Sequence, residues 1–184
     1  MATLIKNATI AADNWQRLKA SDDDYLTEIP PSGDILVPLA LWQAAAGELL
    51  ARRTGRLGVW LDSDEDPAHI ACSLQALSLI AVNFPQFTDG RGYTTARLLR
   101  ERYGWKGELR AIGDVQRDQL FYLSRCGFDA FLLSDGQDAP QGDSLRSVQA
   151  ALSALGDFTE AYQTSVERPL PLFRRREPQI AKSA

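Results

Sequence analysis

Two polar corners hold most of the side chains in this chain that could do chemistry. One is Phe87-Thr88-Asp89-Gly90-Arg91-Gly92 and the other is Gly113-Asp114-Val115-Gln116-Arg117-Asp118. Each follows an apolar run and precedes an amphipathic one. A carboxylate beside a guanidinium can move a proton and hold an anion at one place. Asp89 and Asp114 are therefore the candidate catalytic acid/base residues. Arg91, Arg110 and Arg117 are the candidate oxyanion-binding residues, for a phosphate, sulfate or sulfite. Arg110 interrupts the apolar run Leu109-Arg110-Ala111-Ile112. A charge there must be paired, with Asp89, Asp114 or Asp129, or must emerge at the strand end. The same Asp and Gly residues would also serve simply as turn formers and helix caps.

Other chemistries find less support. Asp89-Gly90-Arg91-Gly92 is not a dinucleotide fingerprint, and the chain has no phosphate-binding GxxxxGK[ST] element. The single histidine, His69, cannot supply a metal cluster, and it is expected on an exposed helical surface. Cys72 and Cys126 lie far apart without a CxxC partner, so no disulfide framework, zinc site or iron–sulfur cluster is indicated. Cys126 precedes Gly127 at a helix end, where a thiolate is disfavoured, and is expected to be packed rather than reactive. No Ser-His-Asp arrangement can be assembled. No metal is expected, and no cofactor is indicated by any motif.

The chain has 184 residues, 45% hydrophobic and 24% charged, which suits one globular domain with a tail. A formal net charge of -4 argues against a nucleic-acid partner. No apolar run approaches the roughly 20 residues of a membrane span, so no membrane role is expected. The start, MATLIKNATIAADNW, lacks the basic and apolar regions of a secretory signal, which points to the cytoplasm.

The corners need elements to position them. Leu57-Gly58-Val59-Trp60-Leu61, Leu79 to Phe84, Leu109 to Ile112 and Phe128 to Leu133 read as buried strands, with Ile35-Leu36-Val37 as a shorter one. Between them the spacing predicts helices over Leu39 to Arg53, Pro67 to Ala76, Thr94 to Tyr103 and Val115 to Arg125. A last helix is expected over Leu145 to Tyr162, with Asp143 or Ser144 as its cap. This rhythm predicts an α/β fold of repeated βα units with a mostly parallel sheet, either half-barrel-like or open and doubly wound. The uniform succession of units favours the half-barrel. The division expected is a hairpin-and-loop appendage over residues 1–33, an α/β domain over 34–163 and an extended basic tail over 164–184. The loops after the strands would then share one edge. That edge would gather Asp62, Asp64, Phe87, Asp89, Arg91, Asp114, Arg117, Ser134 and Asp135, with helix N-termini favouring anions.

The tail, Val166-Glu167-Arg168-Pro169-Leu170-Pro171-Leu172-Phe173-Arg174-Arg175-Arg176, is expected to be extended because of its prolines. It would either strap onto the protein's own surface or dock on an acidic partner or a second subunit. Leu170, Leu172, Phe173 and Arg174 are the candidate partner-binding residues.

Several of these segments also resemble a known family. They are Phe84-Pro85-x-Phe87-x-Asp89-Gly90-Arg91-Gly92-Tyr93, Glu108-Leu109-Arg110-Ala111-x-Gly113-Asp114-Val115, Asp118-Gln119-Leu120, Arg125 to Phe131 and the Pro-Leu-Pro-Leu-Phe-Arg-Arg tail. Together they are similar to a bacterial family of unknown function whose members are commonly labelled oxidoreductases of sulfite reduction. The resemblance implies a place in sulfate assimilation but supplies no catalytic residues. It leads to an expected accessory role beside sulfite reductase, as a binding partner or in electron delivery. Alternatives are a small-molecule enzyme binding an oxyanion at the strand edge, or a purely structural subunit. Homodimer formation stays open.

Overall fold

The computed structural model describes residues 3–18, 29–52, 54–133, 144–156 and 162–175. Its strands are β1 (Thr3–Lys6), β2 (Thr9–Ala11), β3 (Gln16–Arg17), β4 (Ile35–Pro38), β5 (Leu57–Leu61), β6 (Leu79–Phe84), β7 (Glu108–Gly113) and β8 (Ala130–Leu133). Its α-helices are α1 (Leu39–Arg52), α2 (Arg91–Arg97), α3 (Leu120–Arg125), α4 (Ser144–Ala154) and α5 (Leu172–Arg175). The strands form one sheet in the order β2-β1-β8-β7-β6-β5-β4-β3. From β3 to β8 neighbours are parallel and follow chain order, while β1 joins β8 and β2 antiparallel.

That order decides between the two architectures. Successive right-handed crossovers that always step the same way leave every helix on one face. The principal core shows this. Val59 and Leu61 of β5, Ile80, Val82 and Phe84 of β6, and Leu109 and Ala111 of β7 pack with Trp42 and Leu49 of α1, Leu120 and Leu123 of α3, and Ala151 of α4. The alternate residues Leu36, Leu79, Ala81 and Ile112 form a smaller cluster on the other face, joined by Trp15, Trp60 and Leu132. The sheet is a curled half-barrel, mostly parallel.

The N-terminal hairpin, expected as an appendage, is built into this sheet. Asn7 and Ala8 both take positive φ, 49° and 57°, as a two-residue hairpin turn of type I′ requires. Because β2 and β3 lie on opposite edges, the chain between them must cross the open face of the sheet. Asp13 and Trp15 belong to that crossing.

Three helical spans differ from the expected ones in type or in starting residue. Pro67–Ala76 is a 3₁₀ segment rather than an α-helix, started by Asp66, whose side chain accepts from Ala68 N at 2.8 Å. The helix expected from Thr94 starts at Arg91 and passes through a π-helical stretch, Leu98–Arg102. A 3₁₀ turn, Arg117–Gln119, precedes α3. The tail is not wholly extended: Pro171 is followed by the single turn α5, and its carbonyl accepts from Arg174 N at 3.0 Å. Proline is tolerated just ahead of a helical turn, where its missing N–H has no intrahelical partner to lose. Ser134, Asp135 and Asp143, and the side chain of Ser144, lie outside the described residues. Among the described residues, no helix is long and apolar enough to cross a membrane.

Candidate functional site

The C-terminal ends of β5, β6 and β7 bring the two polar corners to one rim, beside the loop that carries Asp62 to Asp66. Parallel register is the cause. Leu61 pairs with Val82, and Phe84 with Gly113, so the loops that follow emerge side by side. The three loops are then tied together by side chains.

Between the first and second loops, Arg91 is the main link. Its Nη2 donates to Ser63 Oγ at 2.8 Å and to Asp89 Oδ2 at 2.7 Å, and its Nε donates to Asp89 Oδ1 at 3.0 Å. The Asp89 carboxylate also accepts the Arg91 backbone N–H at 3.1 Å. Asn83 Nδ2 donates to Asp62 Oδ1 at 3.0 Å, and Glu65 Oε2 accepts the Asp62 N–H at 2.7 Å. Between the second and third loops, Asp114 Oδ2 accepts the Phe87 N–H at 2.9 Å. Gln119 Nε2 donates to the Phe87 carbonyl at 3.1 Å, while its Oε1 accepts the Gln116 N–H at 3.0 Å.

This arrangement sets the electrostatics. The Arg91 guanidinium, with help from the Ser63 hydroxyl, holds the Asp89 carboxyl far below the usual carboxylate range. Asp89 raises the Arg91 pKa in return. Partial burial pushes Glu65 up, and burial also raises the Tyr93 phenol beside Gln119. A carboxylate so tightly paired is a poor base near neutral pH. Arg91 nevertheless remains 59% exposed along its side chain, whereas Asp89 is 13% exposed.

The expected site residues therefore separate into groups. Asp89, Arg91 and Asp114 do meet at the rim. Arg117 is on the same rim and exposed. Arg110 does not reach the rim. It lies mid-strand on β7, on the open face, and is 2% exposed. Its partners are Glu108 Oε1, at 2.7 and 2.9 Å, and Asp13 Oδ1, at 2.9 Å. This corrects the expected pairing with Asp89, Asp114 or Asp129. The side chain of Glu108 alternates onto the same face as Arg110, and Asp13 arrives on the crossing chain. Glu108 also takes Lys6 Nζ at 2.6 Å. Asp129 pairs instead with Arg100 Nη2, at 2.8 Å.

Ser63, Asn83, Glu65 and Gln119 were not anticipated. Asn83 had a readable signal, a lone amide in the apolar run of β6. Gln119 had a fainter one: it stands three residues after Gln116, and the two form a reciprocal capping box.

Away from the rim, burial raises the Cys126 thiol, in keeping with a packed cysteine, and His69 is exposed. A cavity of about 410 Å³ lies at the opposite end of the sheet, lined by Trp105, Lys106, Phe128 and Glu167 among others. Among the described residues, no group of three or more His, Cys, Asp or Glu is placed to hold a metal ion. In the tail, Leu170 and Phe173 are 51% and 55% exposed, Arg174 is exposed and Leu172 is half-buried.

No match was found among curated proteins. Residues 58–173 match the family described as a bacterial protein of unknown function, DUF934, and by that match the chain belongs to this family.

Proposed function

We propose that the protein is an accessory protein of assimilatory sulfite reduction that binds the sulfite reductase. The pathway rests on the motifs around Phe84–Tyr93 and Glu108–Val115 and on the resemblance they carry. The accessory role rests on one observation. The two carboxylates expected to act as acid and base are both engaged, Asp89 by the Arg91 guanidinium and Asp114 by the Phe87 N–H. Held ionised by Arg91, Asp89 is poorly suited to take a proton near neutral pH. A docking protein needs instead a rigid body, which loops stitched in this way provide.

Growth on different sulfur sources tests this reading. Cells lacking the protein should grow slowly on sulfate or sulfite and normally on sulfide or cysteine. Asp89→Asn and Asp114→Asn variants that fold normally should restore growth on sulfate. Normal growth of the deletion strain on sulfate would remove the pathway. Loss of growth with folded Asp89→Asn or Asp114→Asn would replace the accessory role with an enzyme acting at the rim.

A further inference from the structure

Residues 162–175 form a hook whose backbone is fastened while its large apolar side chains face outward. The fastening is to the C-terminal end of α3. Arg125 Nη2 donates to the carbonyls of Gln163 and Thr164, at 2.9 and 3.2 Å, and Val166 N–H donates to the Arg125 carbonyl at 3.1 Å. The hook then turns back on itself, where Leu172 N–H meets the Tyr162 carbonyl at 3.3 Å. A segment serving only to cover the protein's own surface would turn its apolar side chains inward. Here Tyr162, Leu170 and Phe173 are 71%, 51% and 55% exposed. Tyr122, 55% exposed, lies one helical turn before Arg125 on α3.

Charge indicates what covers them. The chain carries a net charge of -4, yet the stretch from Val166 to Arg176 contains Arg168, Arg174, Arg175 and Arg176 against Glu167 alone. A basic segment on an acidic protein attracts an acidic protein surface. The remaining acidic body opposes the phosphates of a nucleic acid. Exposed aromatic and leucine side chains beside arginine suit the desolvated centre and charged border of a protein interface.

We propose that this hook is the docking surface for an acidic face of the partner protein, with Leu170 and Phe173 as apolar anchors and Arg174 as the steering charge. The proposal rests on the reading that the partner is sulfite reductase. A backbone already held in place loses less freedom on binding, so the anchors are presented in advance.

Binding of the full chain to purified sulfite reductase, measured by calorimetry at several salt concentrations, tests both levels. The variants are Leu170→Asp with Phe173→Asp, Arg174→Glu, and Arg102→Glu as an exposed charge-matched control on another helix. Wild-type melting curves should be retained, because the altered side chains are largely exposed. The anchor variant should weaken binding at least about tenfold. Arg174→Glu should weaken it several-fold at low salt and by less at high salt, and Arg102→Glu should leave it unchanged. Equal binding by wild type and hook variants would overturn the hook while leaving the accessory role intact. Absence of wild-type binding would overturn the accessory role, and the hook proposal with it. Sulfite reductase is not the partner, and the hook serves a second copy or a polyanion, if the anchor variant abolishes only self-association or binding to duplex DNA.

Discussion

The Arg110 guanidinium is buried on the open face of the sheet and donates three hydrogen bonds to the carboxylates of Glu108 and Asp13. Removing the cation would leave the Glu108 and Asp13 carboxylates without the guanidinium that bridges them. Arg110→Met should therefore lower the unfolding free energy by about 3–5 kcal/mol in urea titration. A loss below about 0.5 kcal/mol would show that the network carries no structural role. Asp89 gives a pH prediction of definite sign. Its folded pKa is depressed by Arg91, so the unfolded state binds its proton more readily. The resulting stabilisation is complete above the unfolded value of about 3.9 and is lost as pH falls through the folded value. Carboxyl NMR should show Asp89 ionised at every pH above that of an ordinary aspartate. A midpoint at or above about 4 would mean that the Arg91 clasp does not persist in solution.

At the level of elements, the turn leaving β7 depends on Gly113. Its φ of 93° lies where side chains are disfavoured, and a Cβ there would run into the Phe84 carbonyl of β6. Gly113→Ala should cost about 1–3 kcal/mol and displace Asp114, whose N–H donates to that same carbonyl at 2.7 Å. An unchanged melting temperature would show that the turn relaxes freely. The strands were the most legible elements. The runs Leu57 to Leu61 and Leu79 to Phe84 are bounded by polar or turn residues and coincide with β5 and β6. Helix starts were less legible because side chains beyond the helices set them. Asp89 receives the Arg91 N–H and brings α2 forward to Arg91, while Gly92 lets the helix pass beneath the Phe84 ring. A Cβ on Gly92 would meet that ring at 2.6 Å.

At the scale of the whole molecule, the half-barrel extends beyond the part that the family model matches. Residues 58–173 include β6, β7 and β8 but neither β4, which pairs with β5, nor β1, which pairs with β8. They also lack Asp13 and Lys6, which neutralise charge around Arg110 and Glu108. A chain cut to residues 58–173 should therefore fail to unfold cooperatively in thermal circular dichroism. A sharp transition resembling that of the full chain would show that β1 to β4 are dispensable. Trp15 and Trp60, packed on the open face with the crossing segment, offer a fluorescence readout for the loss of that layer.

The alternation of strands and helices, and the gathering of polar corners on one rim, were determined by the sequence itself. Apolar runs and turn residues are local signals, and a βα rhythm places the following loops together whatever the details of packing. Tertiary structure alone decided the partners. Arg110 pairs with Asp13 across 97 residues because the crossing segment passes over β7, and no local pattern encodes that meeting. Likewise, Asp89 is only two residues from Arg91, but the assembled rim alone brings Ser63 within reach of the Arg91 guanidinium.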